Sequence, residues 1–314
     1  MDNKEEYLDI IDREKDYKEI RSETFRTEIG IRAIGQIYHD HSSDQNSQEN
    51  VLRLKKNIEY RLFSASHQYL LLLRELGSAE NHLKNLFEEN PQFMDWRTAE
   101  MTNPYFDQVE TQLSSIFDSI IFHISSVFDY LSHSICYIYF TNKQKTLYWT
   151  KLAKKVRGDF KGKFKFCKTV DEIDRRFVGQ LYNYRSRLLH NKRDHHTFAT
   201  IFESDSKKFN LKINCSEESL KKFKSVIKKK TNEKQKITLA FLGSWLIKQT
   251  FYEIENLLDS IKKDLEDNSH FHINLRKPKG GPNALMIFSL NQETNFAEPA
   301  SQSIWKDYKK KGSS

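Results

Sequence analysis

Glycine and proline are scarce, 10 and 5 in 314 residues. That scarcity argues against a Rossmann-type or P-loop enzyme, a collagen-like chain and a β-sandwich with many tight turns. No Gly-rich phosphate loop, H-E-x-x-H, G-x-S-x-G or paired C-x-x-C occurs. The three cysteines, Cys136, Cys167 and Cys215, are widely spaced and odd in number. They imply no disulfide framework; they read as core fillers in a reducing, cytoplasmic setting. The first ten residues are charged and lack the apolar centre of a signal peptide. No run approaches 18 apolar residues, so no membrane segment is expected. What the chain has is aromatics: 22 Phe and 14 Tyr, enough to build a core although only 38% of residues are apolar. Few breakers and many large apolar side chains favour long helices.

Charge is unevenly spread. Residues 1–104 hold 14 Lys/Arg against 20 Asp/Glu, and residues 105–314 hold 37 against 23, so an acidic first part precedes a basic one. Two runs concentrate the positive charge, each with eight basic residues and one acidic: Lys151 to Lys168 and Lys221 to Lys236. The first is interleaved with Trp149, Phe160, Phe164 and Phe166. Ammonium groups meet phosphates and rings stack on bases, so this pattern suits a single-stranded nucleic acid. The plainer reading is a solvated face that keeps the protein soluble.

Residues 5–38 read as helix broken near Gly30 or Gly35, and His39 to Asn50 as a polar loop. A helix over 51–76 ends at Gly77-Ser78, with a short helix to about Phe87. A boundary falls between Asn90 and Pro104. The strongest pattern lies in 105–141: Leu113, Ile116, Ile120, Ile124, Val127, Leu131, Ile135 and Ile138 recur every three or four residues, the mark of a long amphipathic helix. A short helix and a basic loop follow over 142–168. Ile173, Phe177, Leu181, Tyr184 and Leu188 predict a helix from Val170 to about Asn191, with Asp171 at its start. Phe198 to Glu203 and the alternating Phe209, Leu211 and Ile213 predict a β-hairpin over about 197–214. A basic helix capped by Ser216 and a long helix over 237–265 come next. The fold class is therefore mostly α. It comprises an acidic helical region over 1–104, a helical domain with an inserted hairpin over 105–268, and an extended tail over 269–314.

One short constellation carries chemistry: Tyr184-Arg185-Ser186-Arg187-Leu188-Leu189-His190-Asn191. Arg185 and His190 form R-x-x-x-x-H near the end of a helix in the basic half. Residues 105–268 resemble the HEPN superfamily of all-α domains. In those domains an arginine, a polar residue, three further residues and a histidine make up the motif. Ser186 takes the polar position, where the family more often has Asn, His or Asp; one hydroxyl offers fewer hydrogen bonds than an amide. The resemblance implies metal-independent RNA cleavage, without a cofactor, at a homodimer interface in a toxin or phage-defence effector. The alternative it admits is a non-catalytic dimer module binding RNA or a protein partner such as an antitoxin. Under the first reading His190 is the general acid/base, Arg185 stabilises charge on the phosphorane and Ser186 positions them. Lys154, Lys155, Lys161, Lys163, Lys165 and Arg187 are the RNA-binding candidates. Five residues turn about 140° on a helix, so one copy does not aim Arg185 and His190 at one point. Either the helix ends near His190, or two copies of the motif meet across a two-fold axis, as an isologous dimer would allow.

Weaker candidates remain. His39, Asp40, His41 and Asp44 read as an accidental polar cluster rather than a metal site. Asp129 and His133 read as a helix-stabilising pair. His195 and His196 either line an RNA path or begin the hairpin. A purely structural helical adaptor is a third reading, but it has no need of the basic runs.

Overall fold

A computed structural model describes residues 7–41, 45–89, 104–140, 147–190, 196–203, 208–217, 221, 223, 227, 235–267, 288–290 and 297–310. These residues are mostly α-helical. The helices are α1 (Arg13–His41), α2 (Gln45–Glu89), α3 (Pro104–Phe140), α4 (Trp149–Arg157), α5 (Lys165–Ile173), α6 (Gly179–His190), α7 (Leu239–Glu266) and α8 (Ala300–Lys310). A π-helical turn, Asp174–Val178, joins α5 to α6. Glu217, Lys221, Phe223 and Ile227 are also helical. Strands are few: β1 (Tyr7–Leu8) runs parallel to β4 (Lys236–Ile237), β2 (Thr197–Glu203) antiparallel to β3 (Lys208–Asn214), and β5 (Phe288–Leu290) antiparallel to β6 (Ala297–Pro299). The chain divides into two units, one of residues 1–20, 64–125 and 180–248, the other of residues 21–63, 126–179 and 249–314. Each draws on both sides of residue 104.

In the first unit Leu113, Phe117, Ile120, Ile121 and Ile124 of α3 are fully buried, so the apolar period read from the sequence is the packed face. The hairpin pairs Phe202 with Phe209, Thr200 with Leu211 and Phe198 with Ile213. Phe209, Leu211 and Ile213 are buried, which sets the register because a one-residue slip would expose all three. Buried Asp16 accepts the Tyr69 hydroxyl at 2.6 Å, the Ser244 hydroxyl at 2.9 Å and the Lys248 ammonium at 2.8 Å. Burial, then the Asp16 charge, drives the Tyr69 phenol far above its ordinary value. Glu80 takes both arms of Arg13 at 2.8 Å and the Leu211 amide at 2.9 Å.

In the second unit Trp149 is fully buried, edge-on to Phe128 at 5.2 Å. Its indole donates to Asp174 at 2.9 Å and its backbone amide to Asp129 at 3.2 Å, so Asp129 caps α4. Asp264 of α7 accepts the first two amides of α5, Lys165 and Phe166, each at 2.9 Å, and the Tyr139 hydroxyl at 2.8 Å.

Several boundaries differ from the sequence reading, each for a physical reason. Helix α1 is unbroken. A side chain at Gly30 would come within 2.9 Å of the Tyr308 ring, so glycine there permits close packing instead of ending the helix. The polar run from His39 is mostly helical: α1 reaches His41, α2 starts at Gln45, and the Gln48 side-chain amide Nε2 donates to the His39 carbonyl at 3.0 Å. Helix α2 also passes through Gly77-Ser78. The cost of a helical glycine, about 1 kcal/mol, is outweighed by burial of Leu76, Ala79 and Leu83 on either side. The helix expected from Val170 starts at Lys165, because Asp264 caps it from α7. Asp171 consequently sits inside the helix, where burial opposes ionisation but Arg157 and Arg175 hold its carboxyl below the usual range. Within 269–314, expected to be extended, α8 buries Trp305 and Tyr308 and ties Lys309 to Glu255 and Asp259. The boundary at 90–103, the hairpin turn 204–207, the segment 268–287 and most of the basic run 221–236 lie outside the described residues.

Candidate functional site

Helix α6 carries the arginine–histidine motif and belongs, from residue 180, to the first unit. A wide turn delivers it: the Gly179 amide bonds to the Asp174 carbonyl five residues back, and a Cβ at Gly179 would lie 2.6 Å from that oxygen. Leu181 and Tyr184 form the buried face, Tyr184 packing edge-on against Phe117 and Phe223. The Tyr182 hydroxyl donates to the Ser125 carbonyl of α3 at 3.1 Å. Arg185 is half-buried, its guanidinium carbon 5.7 Å from the Tyr182 ring centre and 5.8 Å from that of Phe122. Two rings under one planar cation restrict its position. Ser186 and His190 are exposed, Arg187 is half-buried, and His190 ends the helix beside Leu189, which is 57% exposed. Arg185 therefore rests on α3 while His190 faces solvent, as their offset on a helix requires.

The basic candidates Lys154, Lys155, Lys161, Lys163 and Lys165 belong to the second unit, on α4, the turn after it and the first residue of α5. Lys154, Lys161 and Lys163 are exposed. Lys155 lies 3.7 Å from Asp159 and over the Phe160 ring, and Lys165 pairs with Asp267. Gly162 takes φ 73°, a left-handed turn that glycine makes without strain. The interleaved aromatics do not line a surface for bases. Trp149, Phe160 and Phe166 are buried, Phe160 stacks on Phe140 at 4.4 Å, and Phe164 stacks on Phe166 at 5.6 Å. The run is thus two-sided, with rings inward as core and ammonium groups outward. Neutralising Lys161, Lys163 and Lys165 to Gln together is expected to lower the salt-dependence slope of RNA binding by about 2, near 0.7 per lost phosphate contact. An unchanged slope in a salt titration would return this run to a solvated face.

Sequence reasoning missed a cleft of about 440 Å³ in the second unit, between α5 with its π turn and α7. Its signal was present but divided between two helices: Lys165, Lys168 and Arg176 on one, Tyr252, Asn256 and Lys263 on the other.

His196 is buried, so it does not line a path. Its amide donates to Glu110 at 3.4 Å and its Nδ1 accepts the Ser216 amide at 3.1 Å, joining α3 to the segment after the hairpin. Asp129 serves the Trp149 amide, and burial lowers the His133 imidazole despite that nearby carboxylate. Burial pushes the Cys136 and Cys167 thiols up to about 11, and all three cysteines are buried, as core fillers should be. His39 is exposed; Asp44, His195 and the side chains of Asp40 and His41 lie outside the described residues. Among the described residues no helix is long and apolar enough to cross a membrane. No family model, curated protein or solved structure matches the chain.

Proposed function

We propose that the chain is a metal-independent endoribonuclease of the HEPN type, acting in the cytoplasm as a toxin or phage-defence effector, with its site completed by α6 of a second copy. The observation that carries this reading is the contrast within one short motif: Arg185 held on the Tyr182 and Phe122 rings, and His190 exposed at the last residue of the same helix. Cleavage by the RNA's own 2′-hydroxyl needs a base for that hydroxyl, an acid for the departing 5′-oxygen and a cation for the phosphorane. Histidine serves the first two near neutral pH, and guanidinium serves the third without losing its proton. A two-fold axis through α6 would bring the Arg185 of one copy to the His190 of the other. Exposed Leu189 offers an apolar contact beside that axis.

The second reading is a dimer module that binds RNA or an antitoxin-like protein without cutting. The packing of Arg185 against two rings favours it, because a cation held for stability needs no substrate. Mixing separates the two. Arg185→Ala and His190→Ala chains, each inert alone, are expected to regain cleavage when mixed and allowed to exchange, since one of the two sites in the heterodimer is then intact. Leu189→Asp is expected to shift the chain toward monomer in sedimentation and to lose cleavage with it. A mixture that stays inert although wild type cuts, or a Leu189→Asp chain that remains dimeric and active, would contradict the composite site.

A further inference from the structure

The cleft of the second unit has fixed walls. Helices α5 and α7 run antiparallel past each other: the Arg176 fork grips Glu253 at 3.0 and 2.6 Å at one end, and Asp264 caps α5 at the other. Tyr252, Asn256, Ser260 and Lys263 follow at i, i+4, i+8 and i+11, one face of α7 over roughly 16 Å. The two ends differ in chemistry. At one, Tyr252 is 51% exposed, with the Arg176 guanidinium 5.5 Å from its ring centre. At the other, Lys165, Lys168 and Lys263 present three ammonium groups from both walls. Two of the three already face carboxylates, Lys168 3.8 Å from Glu172 and Lys165 paired with Asp267, but both pairs are solvent-exposed and weak, so a phosphate can displace them. Asp259 is held 2.7 Å from Lys309 of α8, and Lys263 completes the positive end.

We infer that this cleft binds a nucleoside phosphate, its base stacked on Tyr252 and its phosphates held by Lys165, Lys168 and Lys263. Its volume falls within the range of small-molecule sites, and its charged lining suits an anion. An exposed phenol ring stacks on any base, the Asn256 amide offers a donor and an acceptor to the base edge, and lysines meet phosphates as point charges. The separation of the ends suits a base followed by two or more phosphates, whether on a free nucleotide or along an RNA strand. The inference stands on the cleft alone and needs no cleavage at α6.

Equilibrium binding to the full chain tests it with three probes: ADP, inorganic pyrophosphate, and a 2′-O-methyl RNA pentamer that cannot be cut by its own hydroxyls. ADP or the pentamer is expected to bind at least ten-fold tighter than pyrophosphate. Tyr252→Ala is expected to weaken that binding about ten-fold while Tyr252→Phe keeps it. Lys168→Gln with Lys263→Gln is expected to weaken it and flatten its salt dependence. A pentamer that binds tighter than ADP assigns the site to a strand; the reverse order assigns it to a free nucleotide. Pyrophosphate that binds as well as ADP and the pentamer, an inert Tyr252→Ala change, or no binding by ADP and the pentamer would overturn the inference. Binding is read without turnover, so a chain that cuts no RNA still meets or fails this test.

Discussion

His190→Ala is expected to lower RNA cleavage by about 10²–10⁴-fold, the usual contribution of a positioned acid or base. The fold should hardly notice, because the side chain is exposed at the end of α6. Its favourable place near the helix C-terminus is worth about 1 kcal/mol at most. Arg185→Ala should also abolish cleavage, but its stability effect is less clean. The guanidinium sits over two rings, a contact worth about 0.5–2 kcal/mol. Arg185→Lys sharpens the comparison: it keeps the charge and loses the planar fork, so a fork-dependent role predicts little rescue. Thermal melts alongside rates under single-turnover conditions separate folding from chemistry. A His190→Ala chain that cuts at the wild-type rate would end the acid/base assignment.

Trp149→Ala is expected to cost about 3–5 kcal/mol, the range for an aromatic removed from a packed core. Nothing of this side chain is exposed; it packs on Phe128 and its indole donates to Asp174. Trp149→Phe keeps one aromatic ring but loses that donor and the volume of the second ring. It should cost about 1–3 kcal/mol, because Asp174 retains its ion pair with Arg157. Urea midpoints for the two variants should fall in that order. Equal midpoints for Trp149→Ala and wild type would show that α4 is not part of the cooperative core.

Legibility in the sequence followed the range of the interaction. The α3 stripe and the hairpin alternation were readable because a helix or strand packed on one face repeats its own period. The start of α5 was not, since its cap comes from Asp264, about a hundred residues away. Gly30 and Gly77 carried a local breaking signal that tertiary packing overrode. Helix α8 escaped notice because, among its described side chains, only Trp305 and Tyr308 are buried, against residues far away in the chain that no local window contains. At the site, the motif and its angular offset were legible from spacing, and so was the exposure of Lys154, Lys161 and Lys163. The inward turn of Trp149, Phe160 and Phe166 was not, because an aromatic between lysines reads the same whether it stacks on a base or on Phe140. The cleft between α5 and α7 was likewise invisible until two helices far apart in the chain were brought together.

The most direct test of the central claim is the chemistry of the cut ends. Labelled single-stranded RNA is incubated with wild type and with His190→Ala, with and without EDTA, and the new 3′ ends are identified. Wild type is expected to cut in the presence of EDTA and to leave 2′,3′-cyclic phosphates, and His190→Ala to leave the RNA intact. Cleavage that stops with EDTA, persists in His190→Ala or leaves other ends would contradict that claim. Wild type that is inert on every RNA, yet dimerises through α6, would transfer the chain to the binding-module reading.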